Sequence, residues 1–119
     1  MATLTPIVPV LAGTVETAPV AAAGGGDVFP AVPGGEYLLR VINGGGSPIT
    51  VTLDDPTSQT PPAATAFNPD VAIPVTNGTT KAILIGDREI TRLRNPTTGN
   101  IAIAYSGVTT VTVQVHRLR

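Results

Sequence analysis

Threonine, valine and isoleucine together make up 41 of the 119 residues, and 13 glycines and 12 prolines break the chain at short intervals. The branched β-carbon of the first three stiffens the side chain in a way that suits a pleated surface. Glycine and proline at this density leave no room for long helices. A chain of this length forms one domain and buries about two-thirds of the surface its unfolded form exposes. With 13% charged residues, no cysteine and no tryptophan, it is not a disulfide miniprotein, a cysteine-ligated zinc module or a coiled coil. The composition is all-β.

Strand signals are clear from Glu36 onward. Tyr37 to Ile42 is apolar on both sides, as in a covered strand; Asn43-Gly44-Gly45-Gly46-Ser47 follows as a turn in which glycine tolerates positive φ. Beyond it Ile49, Val51 and Leu53 alternate with Thr50 and Thr52, which predicts a hairpin with the preceding run. Asp54 to Pro69 holds Asp55-Pro56, Pro61-Pro62 and Asn68-Pro69 with Phe67 its sole large apolar residue, and reads as a long exposed loop. Val71 to Val75, Lys81 to Ile85, Ile101 to Tyr105 and Val108 to Val115 complete the strands, with turn chemistry at Asn77-Gly78 and Thr98-Gly99-Asn100. In the last strand Val111, Val113 and Val115 face a core, while Thr110, Thr112, Gln114 and His116 face water. Asp87 to Asn95 allows one helical turn with Ile90 and Leu93 on its inner side. The expected fold is a single-domain β-sandwich or jelly-roll-like barrel of about six to eight short antiparallel strands over residues 26–119.

Residues 1–25 read as an extended N-terminal arm with a glycine-rich hinge. Pro6 and Pro9 fix the apolar stretch from Leu4 to Val10 as extended chain, and Ala21 to Gly26 is low in complexity. Two placements fit: an edge strand of its own sandwich, or an arm laid on a neighbouring subunit. The stretch has no basic residue ahead of it and so lacks the layout of a signal peptide; no apolar run reaches the length that spans a bilayer. A soluble chain made in a cytoplasm is expected.

Charge is distributed unevenly. Up to residue 79 the chain carries Arg40 against Glu16, Asp27, Glu36, Asp54, Asp55 and Asp70; afterwards Lys81, Arg88, Arg92, Arg94, Arg117 and Arg119 face Asp87 and Glu89. Two readings fit: scattered solubilising charge, or a basic patch that meets an acidic partner such as the acidic half of a neighbouring copy. Nucleic-acid binding calls for a denser basic stripe interleaved with aromatics, and the four aromatics here are Phe29, Tyr37, Phe67 and Tyr105.

Catalytic signals are weak. His116 is the one histidine and has no adjacent carboxylate to orient it; Asp54 and Asp55 diverge on extended chain and precede a proline, as turn residues do. Gly24-Gly25-Gly26 and Gly44-Gly45-Gly46 open no expected helix and lack the lysine of a phosphate-binding loop. Asn77-Gly78-Thr79 matches a glycosylation triplet without a secretory context. No catalytic, cofactor-binding or metal-binding residues are expected, and no small-molecule substrate.

Taken in order, Gly26-Asp27-Val28-Phe29-Pro30, the stretch from Tyr37 to Gly46, Ile49-Thr50-Val51-Thr52, Gly99-Asn100-Ile101 and the run from Tyr105 to Thr112 resemble small virion proteins of tailed bacteriophages, the capsid decoration or cement proteins. The resemblance spans residues 26–115; the 55–69 loop and the arginine-rich 88–94 segment depart from it. It implies a structural, non-enzymatic protein on the outer capsid surface, synthesised in the host bacterial cytoplasm. It also implies binding to the major capsid protein lattice and a homo-oligomer, a trimer by analogy. The contact residues then expected are Leu4, Ile7, Val8 and Val10 of the arm, with Arg88, Arg92 and Arg94 pairing with acidic groups. The alternatives are a head-to-tail connector and a receptor-binding module of a tail or fibre.

Overall fold

A computed structural model describes residues 2–16, 18–56 and 70–119. In chain order the elements are β1 (Ala2–Thr3), β2 (Val20–Ala21), β3 (Asp27–Pro30), β4 (Tyr37–Asn43), β5 (Ile49–Leu53), β6 (Val71–Val75), β7 (Thr79–Ile85), α1 (Asp87–Leu93), β8 (Asn100–Tyr105) and β9 (Val111–Arg117). They form two sheets, ordered β1-β3-β8-β5-β6 and β2-β9-β4-β7. The expected all-β, sandwich-like single domain is therefore what the chain builds. From β3 to β9 every connection changes sheets except β5 to β6. The interior is the meeting of two apolar faces: Leu39 and Val41 of β4 and Val111, Val113 and Val115 of β9 oppose Phe29, Val51, Leu53, Ile101 and Ile103 from the other sheet. Each such side chain contributes about 1.5–3 kcal/mol on burial. Phe29 and Tyr37 meet with ring centroids 5.6 Å apart and planes tilted by 51°. Ile90 and Leu93 of α1 are both buried, as the helical spacing predicts.

Three sequence expectations change. First, β4 and β5 do not form a hairpin, because β4 pairs with β7 and β9 while β5 pairs with β6 and β8. The segment between them crosses the sandwich, which lets the alternating faces of both strands meet in one core. Buried Asn43 braces the crossing: its Nδ2 donates to the carbonyls of Ser47 and Val75, and its Oδ1 accepts the Gly45 N–H. The glycines there serve close approach, not positive φ. A Cβ on Gly45 would stand 2.8 Å from the Thr109 carbonyl oxygen.

Second, the outer face of β9 is not wet: Gln114 and His116 are buried. The strand itself starts at Val111, after Thr110 takes φ 56 and the Val111 N–H bonds the Val108 carbonyl. Third, of the two placements open to the N-terminal segment, the structure shows the edge strand of its own sandwich, though with parallel as well as antiparallel pairing. β1 adds a strand parallel to β3 in one sheet, Ile7 bridges in parallel to His116 in the other, and β2 runs antiparallel to β9. These parallel pairings depart from the all-antiparallel expectation. The segment thus ties the β3 side of one sheet to the β9 side of the other. On the opposite side β6 and β7 are the outer strands, and among the described residues they are joined by the short turn through Gly78, by Lys81 donating to the Pro74 carbonyl and by Asn43 donating to the Val75 carbonyl.

Candidate docking surfaces

On the tied side, the chain leaves β9 at Ile7 and returns to it at Val20. Between them it makes a turn held by its own hydrogen bonds. The Val10 N–H donates to Thr14 Oγ1 at 3.0 Å, the Thr14 hydroxyl donates to the Val8 carbonyl at 3.2 Å, and the Gly13 N–H reaches the Val10 carbonyl at 2.9 Å with Gly13 at φ 98. Val8, Val10, Leu11 and Val15 project outward; Leu11 is fully exposed and Val15 is 96% exposed. The following residue, Glu16, returns to the sheet and meets Nε2 of His116 while staying half-exposed. That nitrogen is the donor, because Glu16 accepts; Nδ1 is buried and makes no hydrogen bond among the described residues. The expectation that His116 has no carboxylate beside it is therefore corrected, and the pair pins the end of the turn.

On the other side, β6 and β7 are joined by the tight turn at Thr76 to Gly78 and separate toward α1. The separation leaves a groove of about 420 Å³ lined by Val71, Ile73, Ile83, Leu84 and Leu93, with Arg88, Glu89 and Arg92 beside it. Val71, Ile73 and Ile83 are only partly buried, and Leu84 is 59% exposed. Proline at position 74 blunts β6 as an edge, whereas β7 runs seven residues with Lys81 its sole charge. Lys81 spans the gap by donating to the Pro74 carbonyl at 2.7 Å.

The residues expected at an interface separate into three sets. Leu4 is 4% and Ile7 9% exposed, so both are spent inside their own domain. Val8 and Val10 lie on the exposed turn. Of the arginines, Arg94 donates from Nε to the Ala31 carbonyl at 2.8 Å and lies over Gly99, so it anchors the helix end. Arg92 sits 3.6 Å from the buried carboxylate of Asp55, and Arg88 is exposed on the groove rim. Asp55 is accordingly more than a turn residue: its N–H also donates to Asp70 Oδ1 at 2.6 Å. Beside it, burial and the facing Asp70 carboxylate push Asp54 above the ordinary carboxylate range. The proline-rich loop, Phe67 included, lies outside the described residues over 57–69. Leu11, Val15 and Leu84 escaped the sequence reading. The signal for the first two was present, since residues 2–15 contain no charge at all.

The motifs that carry the resemblance have structural work. Buried Asp27 accepts the N–H of Ala2 at 3.1 Å and of Ala23 at 3.2 Å, and the Tyr105 hydroxyl at 2.8 Å. Burial, then the Asp27 carboxylate, drive the Tyr105 phenol upward and keep it protonated as a donor. Gly26, at φ +91, has no space for a side chain, because a Cβ would lie 2.6 Å from the Ile103 carbonyl oxygen. Among the described residues no group of three or more His, Asp or Glu side chains is placed to hold a metal ion, and no helix is long and apolar enough to cross a membrane. The class defined so far is a two-sheet β-sandwich whose N-terminal segment pairs with an edge of each sheet on one side. Comparison with family models, curated proteins and solved structures found no match.

Proposed function

We propose that the chain is a structural virion protein that binds the outside of a tailed-phage capsid lattice and stabilises it. One observation carries the reading: an uncharged apolar turn, held in shape by its own hydrogen bonds, stands away from a rigid cysteine-free sandwich. A monomeric soluble protein gains nothing from exposing Leu11 and Val15 in a fixed conformation; a docking protein gains a contact whose ordering cost is already met. The order of motifs along residues 26–115 supports the same reading by resemblance. In this account the domain is a spacer, and binding resides in the turn and in the groove beside Arg88, Glu89 and Arg92. Capsid shells repeat each site many times, so contacts that are modest singly stabilise the lattice collectively. Copy number in purified particles tests this. Quantitative mass spectrometry against the major shell protein should count hundreds of copies. A dozen or fewer would favour a connector or fibre module, and absence would end the virion reading.

A further inference from the structure

At the end of the sandwich where β4 stops and β9 starts, the β4–β5 crossing and the turn from β8 into β9 enclose a cleft of about 350 Å³. Two of its glycines have no reason in the fold. Gly44 and Gly45 lie tight against Thr110 and Thr109, but a Cβ on Gly46 would meet nothing, and one on Gly107 would make an ordinary 3.6 Å contact with Ile49. Neither takes positive φ. Alanine would fit at both and would restrict the unfolded chain, a change that ordinarily stabilises. Glycine there instead lets another molecule approach the backbone. Beside them, exposed Thr110 is the one non-glycine at positive φ among the described residues, at 56°, although five glycines serve that purpose elsewhere. A β-branched residue in that region is strained, and such strain collects where a ligand is clamped.

The lining selects the ligand by its chemistry. Among the described residues no charged side chain lines the cleft, so an ion would lose its hydration without a counter-charge. Its walls offer no strand edge either, because β4, β5, β8 and β9 are all interior in their sheets, so an extended peptide finds no ladder to join. Closely spaced neutral donors and acceptors remain. The hydroxyls of Ser47 and Thr109 make no hydrogen bond among the described residues, while Ser106 Oγ accepts the Thr50 N–H at 2.8 Å and keeps its own hydrogen to donate. The N–H groups of Gly46 and Gly107 likewise find no protein acceptor among the described residues. Pro48 adds a small apolar face. We infer that this cleft binds a small neutral saccharide, whose hydroxyls both donate and accept and whose carbon face rests on Pro48. No acid or base lines it among the described residues, so it holds the ligand without reacting with it.

Strand register separates the cleft from the turn and the groove. β4 ends at the cleft, where Asn43 faces Val111, and begins about 20 Å away, where Tyr37 faces Arg117 and Ile85. Ile85 lines the groove, and Glu16 brings the turn to His116, so both docking surfaces lie at that other end. A copy seated through either one presents the cleft outward. Without an aromatic ring to stack on, a single cleft binds weakly, and repeated copies on a shell multiply the affinity. The cleft's own affinity for a sugar does not depend on the capsid reading.

Amide proton–nitrogen NMR spectra of the full chain test this, with glucose, galactose, mannose, N-acetylglucosamine and their neutral disaccharides titrated to about 100 mM. At least one sugar should shift the amide signals of residues 45–47, 49 and 106–110 saturably, with a millimolar Kd, and leave those of the turn and groove in place. Two variants sharpen the result. Thr109→Ala removes an exposed hydroxyl and Gly107→Ala narrows the cleft at a position where a methyl group fits, so both should unfold at or above the wild-type urea midpoint. Each should bind the same sugar about tenfold more weakly, as expected for one lost hydrogen bond or one obstructing methyl. Absence of saturable shifts at the cleft with every sugar overturns the inference. So does equal affinity in wild type and both variants. A capped alanine tetrapeptide that shifts these signals where no sugar does would make the cleft a peptide site and overturn the saccharide assignment.

Discussion

The two sides of the sandwich begin from the same problem and solve it differently. Where β3 and β9 end their sheets, the N-terminal segment covers both edges: β1 and β2 satisfy backbone groups, and Leu4 and Ile7 fill apolar space. Where β6 and β7 end theirs, the strands are pinned by a turn at one end and left apart at the other. An open apolar edge in a soluble protein invites pairing with another chain. The contrast teaches that the chain spends its arm on stability at one side and leaves an exposed apolar feature at each: a projection beyond the tied edge, a groove between β6, β7 and α1 at the other.

Substitutions can break or sharpen this contrast. The largest effect is expected on the tied side, where Leu4→Ala should remove about 2–5 kcal/mol of stability in urea unfolding. An unchanged midpoint would mean the arm is not part of the core. Next comes the Asp27 clamp, which holds Ala2, Ala23 and Tyr105 at once. Asp27→Ala should cost about 1–3 kcal/mol for each donor left buried without a partner, read by the same unfolding curves. The open side should respond weakly. Leu84→Asp should shift the stability of the domain by less than about 0.5 kcal/mol, so a large loss of folding there would erase the distinction.

The smallest expected effect is electrostatic. Burial and the Asp70 carboxylate raise Asp54 above its ordinary value of 3.8, so the folded chain holds that proton more tightly than the unfolded chain. Stability from this group therefore falls as pH rises from 3.8 through the raised value, and it is greatest below both. Asp54→Asn should flatten that part of a plot of melting temperature against pH. A profile identical to wild type would show that the carboxylates do not interact.

Much of the fold was legible from local pattern. Period-two alternation identified β5 and β9, the Ile90 and Leu93 spacing identified α1, and turn residues identified the breaks around Gly78 and Gly99. The β4–β5 hairpin was misread because alternation specifies which face is apolar without saying which sheet covers it, and a glycine-rich turn serves a crossing as readily as a hairpin. His116 and Gln114 were misread for a related reason. Their positions in the pattern are outward, yet the returning arm brings Ile7 and Glu16 to His116, and Arg40 of β4 donates to Gln114. At the candidate site, Val8 and Val10 were legible as exposed apolar chain, while Arg94 was read as a contact because sequence cannot show a guanidinium already engaged by the Ala31 carbonyl.

By itself the sequence determined the class of structure: branched residues, frequent turns and alternating faces leave a small two-layer β domain as the stable way to bury apolar surface. It also determined that residues 2–15 carry no charged side chain and that Pro6 and Pro9 keep that stretch from forming a helix. Tertiary structure alone decided which part of that segment is core and which is surface. Leu4 and Ile7 are adjacent to Val8 and Val10 in sequence and alike in chemistry, yet the β3 and β9 edges reach only the first pair. Burial depends on where a second sheet edge lies in space, and local pattern carries no information about that distance.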